Sequence, residues 1–155
     1  MANNLPVFYW DTSCWVAVYT QEATTDSIYL DALEITLKDA LEGRAHIVVC
    51  TLFYSEVIDM LLQDEILESM KTCPHLSLIE TTAAVYRLAG ELRERCKQVE
   101  QKLNTPDAVH VAAGQIARVK EIWTLDIKLV NKSKAGLLVE IPIVFPHIMQ
   151  TVLNF

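Results

Sequence analysis

The chain has 155 residues, a formal net charge of −7, and a composition that is 52% hydrophobic and 21% charged. These values are typical of an ordered globular protein, and the length predicts one domain spanning residues 1–155. The negative charge argues against broad electrostatic binding to nucleic acid, but it allows a nuclease, because bound cations would offset the acids of its cleft.

Nothing in the sequence predicts membrane insertion or secretion. The longest nearly uninterrupted apolar run, 47–54, is far shorter than the roughly 18 residues that a membrane-spanning helix needs, and no signal-peptide pattern precedes Asp11. We therefore expect a cytoplasmic protein. The cysteines are scattered and mostly lie in apolar segments, so we expect reduced structural thiols rather than a zinc site or disulfides at Cys14, Cys50, Cys73 and Cys96.

Apolar runs that predict strands alternate with amphipathic segments that predict helices. The predicted strands cover 6–10, 46–50, 76–80, 121–125 and about 138–144. The predicted helices cover about 13–19, 26–42, 52–70, 82–102 and 106–119, with a short polar helix or loop continuing through Lys134. This alternation predicts a three-layer α/β/α domain with a central parallel sheet of about five strands.

Capping residues mark the ends of two predicted helices. Asp26 is a candidate N-cap and Gly43 a candidate C′ residue of the long helix at 26–42. Thr105 is expected to cap the helix at 106–119, with Pro106 in its first position. These signals place the start of that helix at a defined point in the chain.

Four acidic residues lie where the alternating pattern would bring carboxylates together. Asp11 and Asp126 each follow an apolar run, so each lies where a strand ends, at the edge of an open α/β sheet that usually carries ligands. Asp107 falls in the first turn of a helix, and Glu56 lies on the helix after the second strand.

Three of these acids also have an ordinary structural explanation, and the fourth would need a bonding partner. Asp11 and Asp126 could simply cap the helices that follow them, and Asp107 could complement a helix dipole. Glu56 is flanked by apolar residues and so needs a partner. Several carboxylates in one cleft repel each other unless a proton or a cation neutralises them, so the coincidence of four predicts a divalent-metal site.

Other polar side chains accompany the acids. His110 lies three residues after Asp107, on roughly the same face of its helix, where packing against the sheet is a simpler explanation than catalysis. The basic residues along the predicted helix at 82–102 are expected to be solvated: Arg87, Arg93, Arg95, Lys97 and Lys102. Basic residues around the last acid are better candidates for phosphate contacts: Lys120, Lys128, Lys132 and Lys134.

Four segments, in this order, resemble the PIN domain family, whose members are metal-dependent ribonucleases and include VapC-type toxins. They are Asp11-Thr12-Ser13, Ser55-Glu56-Val57, PDAVHVA at 106–112 and TLDIKL at 124–129. The resemblance covers nearly the whole chain. It implies a five-stranded parallel sheet, with the four acids meeting at the carboxyl ends of the strands.

The resemblance also implies roles for individual residues. Catalytic and metal-holding roles fall to the four acids: Asp11, Glu56, Asp107 and Asp126. Positions that support such a site are matched by three hydroxyl side chains: Thr12, Ser13 and Thr124. Hard oxygen ligands of this kind suit Mg²⁺ or Mn²⁺ rather than zinc.

By this resemblance the chain is expected to be an endoribonuclease that hydrolyses RNA phosphodiester bonds, with the lysines around the last acid as RNA contacts. It is further expected to be the toxin of a toxin-antitoxin pair, with an antitoxin protein and a second copy of itself as partners. Some apolar residues could form the groove or dimer face that receives these partners, or could be ordinary core: Tyr29, Leu33, Leu37, Phe53 and Leu62.

Two features depart from the pattern of the small toxins, namely the long segment at 26–42 and the apolar tail at 141–146. The alternative function is a PIN-fold module that binds nucleic acid or regulates, with little or no catalytic activity. The acidic net charge and the small number of clustered basic residues favour that alternative, and the presence of all four acids favours the nuclease.

Overall fold

Five parallel strands form one sheet in the computed structural model, which describes residues 4–149. The strands are β1 (Val7–Trp10), β2 (His46–Cys50), β3 (Leu76–Ile79), β4 (Glu121–Trp123) and β5 (Ile143–Val144). Their order across the sheet is β3-β2-β1-β4-β5, and every neighbouring pair is parallel. The predicted α/β class and five-stranded parallel sheet are thereby confirmed. Residues 1–3 and 150–155 of the predicted domain lie outside the described part.

Helices join the strands, and within residues 4–149 there are seven of them. They are α1 (Thr12–Thr20), α2 (Ser27–Leu41), α3 (Phe53–Glu56), α4 (Met60–Thr72), α5 (Ala83–Gln98), α6 (Thr105–Ile116) and α7 (Ile127–Lys134). From β1 the chain moves outward to β2 and β3, then crosses to β4 and β5 on the other side. Since crossovers between parallel strands are right-handed, these two directions place helices on opposite faces of the sheet.

The central strand β1 is where the strand order reverses, and this positions the site. Phe8, Tyr9 and Trp10 are all buried, as expected for a parallel strand that is covered on both faces. Trp10 is opposite Trp123 of β4, so these two strands end side by side. Ligands of open α/β sheets bind at such a reversal, at the carboxyl ends of the strands.

All three tryptophans of the chain pack together at this end of the sheet. The ring centroid of Trp10 lies 5.2 Å from that of Trp15 and 6.0 Å from that of Trp123. All three side chains are fully buried. A buried aromatic cluster therefore lies beneath the carboxyl ends of β1 and β4.

The predicted helix at 52–70 is in fact two helices, because the chain leaves the helical path between Glu56 and Met60. Asp59 begins the second helix as its N-cap and accepts hydrogen bonds from the amides of Leu61 and Leu62 at 3.0 and 3.2 Å. The side chain of Gln63 donates to the carbonyls of Tyr54 and Val57 at 3.0 and 2.9 Å. These bonds satisfy backbone groups that a continuous helix would have paired.

Other boundaries differ by a few residues from those predicted. The N-cap of α6 is Asn104 rather than Thr105, because the Asn104 side chain accepts the amide of Asp107 at 2.9 Å. Helix α5 ends at Gln98 instead of 102, and β5 covers only Ile143–Val144. The segment after Asp126 is helical, and Gly43 has the positive φ of +75° expected of a C′ residue.

Helix α6 lies very close to the sheet. Gly114 is the reason, because a Cβ atom added there would stand 2.6 Å from Cδ1 and 2.7 Å from Cγ1 of Ile122. Ala108, Ala112 and Ala113 are also fully buried on this helix. This close approach fixes the start of α6, where Asp107 lies, relative to β4.

The apolar residues proposed for a partner groove belong mostly to the core. Leu33 and Phe53 are fully buried, Leu37 and Leu62 pack against the core, and the ring of Tyr29 stacks on Phe145 at 5.0 Å. The four cysteines are free and buried, as predicted. Across residues 4–149, no helix combines the length and apolar character needed to cross a bilayer.

Candidate active site

A cavity of about 320 Å³ opens at the carboxyl ends of β1 and β4. The structure brings all four predicted acids to this acidic pocket, together with Thr12 and Ser13. Its lining residues are Asp11, Thr12, Ser13, Glu56, Asp107, His110, Leu125 and Asp126. The predicted meeting of these side chains at one sheet edge is what the fold produces.

Asp11 is held at the end of β1 by hydrogen bonds to both carboxylate oxygens. The Thr124 hydroxyl donates to Oδ2 at 2.5 Å, and the Ser13 hydroxyl donates to Oδ1. The amide of Cys14 also donates to Oδ1, at 3.3 Å, so Asp11 is the N-cap of α1 as well. Asp11 therefore caps α1 while its side chain, which is largely buried, also lines the pocket.

Thr124 links two of the acids. It is fully buried between β4 and α7, and besides donating to Asp11 its hydroxyl oxygen accepts the amide of Asp126 at 3.1 Å. Asp126 in turn caps α7 by accepting the amide of Lys128 at 2.9 Å. The spacing between Asp11 and Asp126 is therefore set by a hydroxyl group that is itself held in the core.

Glu56 ends the short helix α3 and is partly buried. Its Oε1 accepts the Thr12 hydroxyl at 2.6 Å and contacts Nε2 of His110. Burial by itself raises the pKa of Glu56, but the hydrogen bond and charge of His110 and the hydrogen bond from Thr12 outweigh burial and lower that pKa below its usual value. Glu56 is thus a fixed, ionised carboxylate with an identified partner.

His110 is the buried end of a polar chain that begins in the sheet. Its Nδ1 lies 2.6 Å from the hydroxyl of Tyr9, which also accepts the amide of Cys50 at 3.1 Å. Burial lowers the pKa of His110, but the hydrogen bonds and charges of Cys50 and Glu56 raise it to about 10. His110 therefore packs against the sheet, as the sequence favoured, while also bonding an acid of the pocket.

Asp107 lies half-buried in the first turn of α6. Its pKa is raised above its usual value by burial and then by the neighbouring charges of Asp126 and Asp11. A carboxylate in this position repels its neighbours at neutral pH. The pocket therefore carries negative charge that protein groups do not fully compensate.

The donor atoms of the pocket are carboxylate and hydroxyl oxygens, which are the ligands that hard divalent cations prefer. Within residues 4–149, no three His, Cys, Asp or Glu side chains stand close enough to share one ion directly. The four acids line one cavity without converging on a point. The carboxylate of Asp11 is held by Ser13 and Thr124, and that of Glu56 by Thr12 and His110.

The four predicted phosphate-contact lysines are not placed alike. Lys128 and Lys132 line a neighbouring cleft together with Asp107 and Asp126. Lys120 precedes β4 and lies at the opposite end of that strand, and Lys134 is an exposed residue at the end of α7. Lys102, which the sequence placed on a solvated helix, lines the same cleft as Lys128 because α5 ends earlier than predicted.

Two contributors to the pocket were missed or underrated from sequence. The distance of three residues between Asp107 and His110 was a usable signal for the histidine. Nothing marked Tyr9, because it lies in an apolar strand and only the fold shows that its hydroxyl reaches Cys50 and His110.

The fold and the pocket together define a parallel α/β protein with an acidic cavity at its strand-order reversal. The PIN domain family model matches residues 8–135, and the chain belongs to that family. A search of curated proteins by sequence gave no significant match.

Several solved bacterial structures have a similar fold. One of them is the crystal structure of VapBC2 from Rickettsia felis bound to a promoter DNA fragment. A chain of that structure matches with a TM-score of 0.64 and 13% identity over 90% of this chain and 98% of that one. VapC20 from Mycobacterium tuberculosis, a sarcin-ricin loop cleaving toxin, matches with a TM-score of 0.57 and 16% identity over 87% and 98%. FitAcB from Neisseria gonorrhoeae matches with a TM-score of 0.60 and 10% identity over 90% and 97%. At these identities the likeness shows the fold.

Proposed function

We propose that this protein is a Mg²⁺- or Mn²⁺-dependent endoribonuclease that hydrolyses RNA phosphodiester bonds. The observation that carries the proposal is the acidic pocket, where four carboxylates line one cavity and the pKa of Asp107 is raised by burial and by its acidic neighbours. A divalent cation relieves such repulsion. RNA as the substrate class is supported by VapC20, a fold relative that cleaves the sarcin-ricin loop.

The donor set fits the proposed cation. The oxygens of Asp11, Glu56, Asp107 and Asp126 would hold it, and Mg²⁺ needs only one or two carboxylates because it keeps several waters. The lack of three converging side chains in the described residues therefore agrees with such a site. When bound, the cation supplies charge neutralisation at the scissile phosphate and lowers the pKa of an attacking water.

The protein's own residues hold the pocket in shape before any substrate enters. Ser13 and Thr124 occupy both oxygens of Asp11 and so fix its orientation. Thr12 and His110 do the same for one oxygen of Glu56. Preorganised carboxylates of this kind lose little conformational freedom when they bind a phosphate-cation complex, which favours catalysis.

The test is cleavage of structured and single-stranded RNA by the purified protein in Mg²⁺, Mn²⁺ or EDTA. We expect cleavage in either cation, none in EDTA, and a loss of at least 100-fold in Asp107→Asn and Asp11→Asn, because removing a charge that stabilises the transition state costs about that much. Asp31→Asn, an exposed change on α2, is the matched control and should cleave normally. Full metal-dependent cleavage by both pocket variants would overturn the proposal.

We further propose that the protein acts in the cytoplasm as a toxin, as a homodimer, held inactive by an antitoxin protein. The fold relatives include VapBC2 from Rickettsia felis and a toxin-antitoxin complex from Klebsiella pneumoniae, which supports such a partner. Induced expression should arrest growth of a bacterial host, and Asp107→Asn should remove the arrest. Co-expression with the product of a neighbouring small gene should relieve it and yield a co-purifying complex; a monomer that never arrests growth would count against this assignment.

One observation favours a second function, that of a nucleic-acid-binding or regulatory module with little activity. The chain carries a net charge of −7, which disfavours the electrostatic capture of a polyanionic substrate for turnover. Turnover separates the two functions, because a binding module retains RNA without cleaving it in any cation. Failure of both cleavage and cation binding would make the module the better account.

A further inference from the structure

Three lysines line a cleft that opens directly from the acidic pocket. The cleft has a volume of about 430 Å³, and Asp107 and Asp126 belong to its wall as well as to the wall of the pocket. Its basic side chains are Lys102, Lys128 and Lys132. Building on the proposed ribonuclease function, we propose that this basic cleft binds the phosphates of the RNA strand on one side of the bond that is cleaved.

Helix α7 carries two of these lysines away from the acids. Asp126 caps the helix, Lys128 lies in its first turn and Lys132 in its last, and residues four apart share one side of a helix. Lys132 interacts favourably with the negative, C-terminal end of the helix dipole. A lysine in the first turn meets the positive end instead, which destabilises the helix by about 0.3–1 kcal/mol. Helix stability therefore does not explain the position of Lys128.

The third lysine is brought to the cleft by a well-held turn after α5. Glu100 adopts a positive φ of 56°, and the amide of Gln101 donates back to the carbonyl of Cys96 at 2.9 Å. Arg93 donates through Nε to the carbonyl of Leu103 at 3.2 Å, and the Leu103 side chain is buried. Lys102 thus projects from a loop that is anchored on both sides.

The three ammonium groups are available to an outside anion. The ion pairs found in residues 4–149 engage Lys38, Arg44, Lys71 and two histidines, and none of them includes a lysine of the basic cleft. The acidic pocket repels a phosphodiester backbone, so positive charge beside it lowers the electrostatic cost of bringing a phosphate close. The cleft supplies this charge where the pocket opens.

The opposite rim of the pocket has no comparable charge. Beyond Glu56 the chain continues into Ile58 and Leu61, which are 87% and 84% exposed. The segment 53–70 contains no lysine or arginine at all. Within the described residues, positive charge therefore lies on one side of the pocket only, and the RNA strand is expected to follow α7 and the α5–α6 loop.

The test measures binding of a short fluorescent single-stranded RNA by anisotropy in Mg²⁺, with Asp11→Asn in every protein so that the RNA stays intact. Substituting Lys102, Lys128 and Lys132 together by Gln should weaken binding at least tenfold at low salt. It should also make the slope of log K against log[salt] shallower by about 2, because each lost contact to a single strand removes about 0.7.

The matched control replaces Lys38, Lys71 and the exposed Arg87 of α5 by Gln, which changes the net charge equally but away from the cleft. Equal slopes and affinities for the two triple variants would overturn the proposal, as would the absence of measurable RNA binding. A second readout uses proteins with Asp11 intact, where the cleft variant should raise KM for RNA cleavage and leave kcat largely unchanged.

These measurements separate failure of the cleft from failure of the ribonuclease function. Cleavage by the wild-type protein together with identical slopes for both triple variants would reject the cleft alone. No cleavage by any protein, together with a selective loss of slope in the cleft variant, would reject catalysis and keep the cleft as an RNA-binding surface.

Discussion

The buried imidazole of His110 joins the central strand to Glu56, because Nδ1 contacts the Tyr9 hydroxyl and Nε2 contacts the Glu56 carboxylate. With its pKa raised to about 10, His110 is protonated at neutral pH and forms an ion pair with Glu56. Breaking a buried pair by removing one partner leaves an uncompensated charge, so each residue depends on the other. Glu56 is therefore positioned by the buried His110 and, through His110, by Tyr9 of the central strand.

The free energy of unfolding should fall as the pH rises from about 6.5 to about 10. The folded protein keeps the His110 proton up to about pH 10, whereas the unfolded chain releases it near 6.5, so this stabilisation is complete below 6.5 and is lost through about 10. The lowered pKa of Glu56 adds an acidic limb to the curve. The free energy of unfolding should also fall as the pH drops below 4.5, the usual pKa of a glutamate. Urea unfolding across this range measures both.

Glu56→Gln removes the partner of His110 and should flatten the alkaline limb of that stability curve. Glu65→Gln, an exposed change on α4, is the control and should leave the limb as it is in the wild type. A Glu56→Gln protein whose stability declines as steeply as that of the wild type would contradict the ion pair.

At the scale of elements, the contact of α6 with β4 sets the position of Asp107, and two glycines offer a paired test of it. Gly114→Ala should destabilise the protein by about 1–3 kcal/mol, because the new methyl group would overpack against the buried Ile122. Gly90→Ala on α5 meets nothing within 4 Å and should stabilise by about 0.5–1 kcal/mol through helix propensity. Denaturant unfolding of both variants is the measurement; equal effects would show that Gly114 is not required for close packing.

Most elements could be predicted from the sequence because apolar periodicity and chain order are local properties. The division of the predicted helix at 52–70 could not, because its apolar pattern runs on without interruption. It depends on Asp59 capping the second helix and on Gln63 reaching back to the carbonyls of Tyr54 and Val57, which are contacts that only the folded chain defines. The early end of α5, which brings Lys102 to the cleft, depends on a turn at Glu100 in the same way.

At the scale of the whole molecule, the acids could be placed at one edge from sequence because the carboxyl ends of parallel strands coincide at a reversal of strand order. The side chains that hold those acids could not be predicted from the sequence. Thr124 and Tyr9 act through contacts between residues that are far apart in the chain. The different positions of Lys120 and Lys128 were readable from the sequence, because the predicted strand at 121–125 places Lys120 before its start and Lys128 after its end.

If the acidic pocket binds a divalent cation as proposed, the stability of the protein should depend on that cation. Burial and the charges of Asp126 and Asp11 raise the pKa of Asp107, so ionised Asp107 destabilises the fold at neutral pH. Mg²⁺ at about 100 times its Kd should stabilise by about 2.7 kcal/mol, which corresponds to a rise in Tm of about 5–10 °C for a domain of this size. Asp107→Asn should raise Tm without cation and reduce the rise that Mg²⁺ produces, measured by calorimetry.

Asp31→Asn serves as the control in that experiment and should behave as the wild type does in both conditions. An unchanged Tm on adding Mg²⁺ or Mn²⁺, in the wild type as well, would argue against a cation site in the pocket.

The aromatic cluster beneath the pocket has an optical consequence. Trp10 directly precedes Asp11, Trp123 directly precedes Thr124, and Trp15 packs against Trp10. Since the chain has only these three tryptophans, its whole tryptophan emission originates in one part of the core. That part adjoins Asp11 and Thr124. The protein therefore contains its own fluorophore with which the proposed binding of a cation and of RNA can be tested, with no label attached.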